Sequence, residues 1–201
     1  MSRARPTDKS PTAHTFDPYR RRVFLDCNNR RPTIHRPRCE NKLYHLGWQF
    51  GTLDRVMYVW DGKPTPKEFT PSKDITKPVA VKTEIGYLKL GDLEVAVIPG
   101  EIYPELVLGK VQDPVDPGAD FQDAPIEPGI YPQLKGKHRM LIGLGNDELG
   151  YVIPKRQWDA KAPYCYGLKK AQYGEENSVG PEAASVICGV FRDLVKAERR
   201  P

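Results

Sequence analysis

Two runs of strand-forming residues, TEIGYLKL at 83–90 and LEVAVIP at 93–99, meet at Gly91-Asp92. A two-residue glycine-containing link favours a primed turn, so the pair predicts an antiparallel hairpin. A hairpin commits the chain to a sheet, and an apolar sheet face needs a cover. Residues 181–200, PEAASVICGVFRDLVKAERR, offer one. Ala183, Val186, Ile187, Val190, Phe191 and Leu194 recur there at helical spacing, with Pro181 near the start and basic residues in the last turn. The expected fold class is α+β: an antiparallel-rich sheet with flanking helices, and a long C-terminal helix packed on the sheet.

Other stretches fill in this outline. RVFLDC at 22–27 and RVMYVW at 55–60 read as short strands, and the proline-filled segment 61–78 reads as a connection. EIYPELVLG at 101–109 predicts a short helix with Pro104 in its first turn and Gly109 as its stop. Residues 110–136 hold five prolines and five acidic residues without apolar periodicity, a length that predicts a lid or an unstructured stretch. HRMLIGLG at 138–145 predicts a buried strand and ELGYVIP at 148–154 another, followed by a tyrosine-rich loop over 155–177. Residues 1–18 are polar and basic and predict a disordered tail, leaving 19–201 as a single domain.

Charge is concentrated at one end. The first fifty residues carry eleven Lys/Arg against four Asp/Glu, a local excess of 11 − 4 = 7 in a chain whose net charge is +5. This arm has no recognition-helix periodicity and few aromatics, so no nucleic-acid binding is expected. Cys27, Cys39, Cys165 and Cys188 lack CxxC spacing, which signals neither a zinc knuckle nor a disulfide framework. The sequence has no apolar leader after Met1 and no run of 18 apolar residues, so neither an export signal nor a membrane span is read from it.

The stretch GLGNDELGYVIP at 143–154 opens like a dinucleotide fingerprint, but Glu148 occupies the third glycine position and would repel a pyrophosphate. It reads instead as a polar turn between two apolar runs. Two candidate residues stand at strand ends: Glu101 after Pro99-Gly100, and Tyr151 after the acidic turn. A carboxylate can ligate a metal or act as a base, and a tyrosine beside a divalent cation can bind as phenolate. Asp147 and Glu148 are adjacent, so on a strand they point to opposite faces and make a poor acid/base pair. His14, His35, His45 and His138 show no ligand spacing, and no serine sits in a nucleophile motif.

In linear order, LGDLEVAVIPGEIYPEL, GLGNDELGYVIP and YGEENSVGPEAA resemble the second half of the catalytic domain of the neutral, alkaline, non-lysosomal ceramidase family, especially its divergent bacterial members. The resemblance spans residues 79–195. It implies half of a larger β-sandwich-like catalytic core, with Glu101 and Tyr151 as two ligands of an active-site zinc and Tyr173 lining the substrate site. It also implies hydrolysis of a lipid amide such as ceramide, with zinc activating a water.

The family's two histidine ligands and its Gly-Asp-Val-Ser-Pro type serine motif have no counterpart before Val79. A catalytic zinc normally keeps three protein ligands, so this chain alone is expected to bind zinc weakly. A separate polypeptide carrying the first half of the domain is the expected partner, and without it the sheet should expose apolar surface. Members of the family often act outside the cytoplasm or at membranes, which leaves the location of this chain open. Two other readings compete: a noncatalytic binding or regulatory remnant of the same fold, and an interaction protein working through the basic arm.

Overall fold

The computed structural model describes residues 20–26, 56–60, 62, 68–72, 74 and 79–199, of which 20–26 are described by backbone alone. The expected disordered tail, Cys27, Cys39 and three of the histidines, His14, His35 and His45, lie outside these residues, as does most of the basic arm.

The sheet is organised by one long strand. β1 (Arg20–Asp26), β2 (Met57–Val59), β3 (Val79–Leu90), β4 (Leu93–Val97) and β6 (His138–Ile142) form it, while β5 (Glu101–Ile102) and β7 (Tyr151–Val152) make a separate two-stranded ladder. β3 pairs antiparallel with β1, β2 and β4. Ala80 and Val81 pair with both β1 and β2, so these two strands take opposite edges of β3. The Gly91-Asp92 turn joins β3 to β4 in the expected hairpin, with Leu90 opposite Leu93. β6 then adds in parallel to β4, which closes the order β1-β3-β4-β6.

Among the described residues three α-helices accompany the sheet: α1 (Pro104–Leu108), α2 (Tyr173–Glu176) and α3 (Ala183–Glu198). Gly109 stops α1 in the left-handed conformation at φ 69°, where a residue without Cβ avoids a steric penalty. α3 turns Ala183, Ala184, Ile187, Cys188, Phe191 and Leu194 inward and lies against β1 and β3. Phe191 meets Tyr87 of β3 edge-to-face at 6.4 Å between ring centroids. Each large apolar side chain buried this way contributes about 1.5–3 kcal/mol, and Ile85, Ile98, Ile130 and Leu149 join the same cluster. The mixed fold, antiparallel-rich with a C-terminal helix on the sheet, is the one its patterning predicts.

One buried charge stitches the helix end to the sheet. Glu94 on β4 accepts hydrogen bonds from Lys135 N at 2.7 Å and from Arg199 Nη2, just past α3, at 2.8 Å. Burial works to raise this carboxyl, but the donors Lys135 N, Tyr87 and Gly136 N and the Arg199 charge outweigh it and hold it below its ordinary value.

Two expectations need correction. HRMLI is a strand but not a buried one: only Leu141 turns to the core, while Met140 and Ile142 are exposed. The reason is alternation, since Met140 and Ile142 take the sheet face opposite Leu141, the face on which Leu88 of β3 is exposed as well. Residues 110–136 are not an unstructured stretch. Ala119, Ile130 and Leu134 are buried, and the Glu127 carboxylate accepts from Lys155 N at 3.1 Å and Ser185 Oγ at 3.0 Å. A few anchoring side chains hold a segment whose own backbone hydrogen bonds are those of short turns, including a 3-10 turn at Tyr131–Gln133. Among the described residues no helix is long and apolar enough to cross a membrane.

Candidate functional site

Backbone pairing brings Glu101 and Tyr151 together. β5 and β7 run in parallel with Glu101 opposite Tyr151 and Ile102 opposite Val152. Glu101 N donates to Gly150 O at 2.9 Å and Tyr103 N to Val152 O at 3.0 Å, so both ends of the short ladder are tied. Facing residues in register share one side of a ladder. The Tyr151 hydroxyl and the Glu101 carboxylate accordingly lie on the same side. The interaction with the Glu101 carboxylate, with desolvation adding to it, raises the Tyr151 phenol above its ordinary value.

The two glycines that precede these residues make the approach possible. A Cβ on Gly100 would stand 2.5 Å from Gly150 O and 3.2 Å from Val152 Cγ2. The Pro-Gly-Glu glycine thus serves a backbone neighbour. Gly150 has φ +76° and is seated against the Asn177 carbonyl, to which Tyr151 N donates at 3.0 Å.

The acidic turn before β7 is explained by its own hydrogen bonds. Asn146 takes a left-handed φ of 70°, Asp147 Oδ1 accepts from Glu148 N at 2.9 Å, and Glu148 Oε1 accepts from Gly150 N at 2.7 Å. Thr83 Oγ1 donates to Asp147 Oδ2 at 2.7 Å and fastens the turn to β3. These carboxylates close the turn and aim Tyr151; they are not paired for acid/base work.

Tyr173, at the start of α2, packs its ring edge-on to Tyr151 with 5.8 Å between centroids and is 69% exposed. All three predicted residues, Glu101, Tyr151 and Tyr173, therefore occupy one patch of surface. Sequence reasoning missed a fourth. Tyr103 stands edge-on to Tyr151 at 6.3 Å, two residues beyond Glu101. The alternation of a strand could have revealed it, since Glu101 and Tyr103 fall on the same side.

Tyr103 also lines a cleft of about 430 Å³, together with Glu105, Gln157, Tyr166, Gln172 and Glu175. Its phenol rests on Gly174, where a Cβ would come within 2.7 Å of the hydroxyl. Burial, reinforced by the Glu175 and Glu105 charges, pushes Tyr103 up to about 12. Glu175 is only 3% exposed, and its Oε2 has no hydrogen-bond partner. Burial pushes this carboxyl up to about 7; backbone N–H groups of Glu175 and Asp159 oppose the shift, and the Asp159 and Asp120 charges reinforce it. Nothing in the sequence marked Glu175, an acid in the first turn of a short helix.

Among the described residues no group of three His, Cys, Asp or Glu side chains is arranged to hold a metal ion. Glu101 and Tyr151 supply two oxygen donors at one point, which fits part of a zinc coordination set and falls short of the usual three protein ligands.

No family model matches the chain, and no curated protein does. Among solved structures it is similar to the neutral ceramidase of Pseudomonas aeruginosa, at 17% identity and a TM-score of 0.37 over 60% of this chain. It is also similar to a ceramidase complexed with C2, at 16% identity and a TM-score of 0.35 over 66% of this chain. The chain spans only 16% and 18% of the length of these two structures.

Proposed function

We propose that this chain contributes the later part of a ceramidase-like, zinc-dependent amidohydrolase site, in which Glu101 and Tyr151 are two of the protein ligands and Tyr173 lies against the substrate. The observation that carries this reading is the in-register pairing of Glu101 with Tyr151, carboxylate to phenol, in a ladder too short to have another evident purpose. The resemblance of three ordered sequence stretches to the family supports it further. Zinc, when bound, supplies Lewis-acid polarisation of an amide carbonyl and an acidified water.

The chain's own residues do the rest. Glu101 offers a carboxylate oxygen beside the phenol, and Tyr151 must release its proton to become a phenolate ligand. Release is unfavourable without a cation, because the neighbouring carboxylate stabilises the neutral phenol. Tyr103 and Tyr173 hold the Tyr151 ring between them and keep its hydroxyl directed at Glu101. The remaining ligands come from outside the described residues, in this reading from a separate polypeptide. Leu88, Met140 and Ile142 on β3 and β6 are 40%, 47% and 41% exposed and share one face of the sheet by register, an apolar surface that such a polypeptide would cover. The proposed substrate is a lipid amide such as ceramide.

The test is a zinc titration of the whole chain, followed through the ultraviolet difference band of tyrosinate. One tyrosine should ionise at neutral pH as zinc binds weakly, and Tyr151→Phe should abolish the signal. Glu101→Gln should weaken binding by about tenfold or more, the equivalent of one charge-assisted contact. A tyrosine spectrum that stays flat at saturating zinc would sink the reading and favour a noncatalytic remnant, in which the pair is a structural contact. Release of fatty acid from ceramide by the protein recovered with its partner polypeptide tests the substrate class.

A further inference from the structure

The cleft beside α1 and α2 has in its wall a buried carboxyl that no lysine or arginine among the described residues pairs with. Glu175 is buried to 3% exposure and its Oε2 lacks a partner, yet it forms part of the cleft wall. Behind it Asp159 is fully buried, with Oδ2 accepting from Cys165 N at 3.0 Å and from Gln172 Nε2 at 3.2 Å and Oδ1 unpartnered. Glu105 adds a third carboxylate to the same space. Lys110 also lines the cleft, but no lysine or arginine among the described residues is ion-paired with Glu175 or Glu105. A buried carboxylate without a counter-charge or a full set of donors is costly, and proteins keep such groups mainly where a ligand or a reaction uses them.

The other walls narrow the ligand. Tyr103 and Tyr166 present aromatic rings, which attract a cation through their faces. The Tyr166 hydroxyl donates to Gln112 Oε1 at 3.2 Å, fixing one side of the opening, and Tyr166 itself adopts a left-handed φ of 56°. A non-glycine residue in that region is uncommon and clusters at ligand sites. Two carboxylates, Glu105 and Glu175, outnumber the single cation Lys110 in the lining, and with the aromatic rings and amide oxygens they suit a compact group that is positively charged and donates hydrogen bonds.

We infer that this cleft binds an organic ammonium ligand, with Glu175 as its buried counter-ion and Tyr103 and Tyr166 against its apolar part. The inference does not depend on zinc, because none of the cleft's lining residues is a proposed metal ligand. Tyr103 nevertheless touches Tyr151, so a molecule seated in the cleft would lie beside the Glu101–Tyr151 pair.

The experiment is calorimetric titration of the full chain with n-butylammonium chloride near pH 8, about one unit above the Glu175 titration. n-Butanol and n-butyrate serve as uncharged and anionic probes of the same length. The ammonium should bind, butyrate should not, and Glu175→Gln should weaken the ammonium by about tenfold or more through loss of the charged contact. The ammonium should bind without zinc and without eliciting the tyrosinate band, which separates this site from the zinc reading. Equal affinity for butanol and butylammonium, or undiminished binding in a folded Glu175→Gln protein, would overturn the inference. A chemical-shift perturbation map supplies the second readout: ammonium-induced shifts should centre on Tyr103, Tyr166 and Glu175, and shifts elsewhere would count against it.

Discussion

Alanine at Gly150 is expected to destabilise the protein by roughly 3 kcal/mol or more, the combined cost of a left-handed backbone and of overpacking against a fixed neighbour. Gly150 has φ +76°, and a Cβ built on it would run into the Asn177 carbonyl oxygen and carbon. That carbonyl cannot move freely, because it accepts from Tyr151 N at 3.0 Å and lies beside the bridge between Gly150 and Ser178. Nor can Gly150 move alone. Its N–H donates to Glu148 Oε1 at 2.7 Å and its carbonyl accepts from Glu101 N at 2.9 Å. Relief of the clash therefore parts β7 from residues 177–178, from β5, or from both. The same movement would draw Tyr151 away from Glu101 and Tyr173, so the zinc-dependent tyrosinate signal should vanish with the stability. Gly91→Ala is the control. Gly91 also has a positive φ, of +58°, but open space around it, so alanine there should cost only about 1 kcal/mol for its backbone conformation. Urea denaturation of the two variants decides the matter: similar midpoints would mean that the loop at 177–178 yields easily and that Gly150 does not hold the site.

The contrast between these two glycines illustrates what the sequence discloses. Gly91 is legible because its role is local: a turn residue between two runs of strand chemistry fixes the β3–β4 hairpin. α3 is legible for the same reason, since the spacing of Ala183, Ile187, Phe191 and Leu194 falls within one element. Gly150, by contrast, meets a carbonyl from a segment more than twenty residues away, a contact that no local pattern contains. β5 and β7 have two residues each, too few for alternation to register, and their pairing is long-range. Glu101 and Tyr151 were singled out by their strand-end positions and assigned metal roles through a family resemblance; only the fold sets them opposite one another. β6 shows the converse failure. Met140, Leu141 and Ile142 are equally apolar letters, and the register with β4 decides that Leu141, opposite the buried Ala96, turns inward. The segment 110–136 escaped in another way, because Ala119, Ile130 and Leu134 anchor it without any period to reveal them.

Glu175 is the residue least visible in the sequence, and its effect on stability is expected to be the clearest in a pH series. Its folded pKa of about 7 stands above the ordinary 4.5, so between these values the folded chain keeps a proton that the unfolded chain releases. Stability from this group is therefore complete below about pH 4.5, declines as pH rises, and is lost above about pH 7. Integrated over that window the loss is roughly 3 kcal/mol. Glu175→Gln keeps the shape and removes the charge, so it should melt like the parent near pH 4 and be the more stable protein at pH 8. Other titrating groups are common to both chains and cancel in the difference. Glu94 and Asp116, both held below their ordinary values, act at the acid end, where their contributions fade as pH falls through their folded pKa. The charges that bear on Glu175, those of Asp159 and Asp120, also remain in place. Butylammonium should oppose the loss in the parent alone, raising its melting temperature at pH 8 and not at pH 4, because only the ionised carboxylate gains a counter-charge. Parallel pH profiles for parent and Glu175→Gln would mean that the carboxyl titrates normally, and the buried, partnerless oxygen would then carry no functional weight.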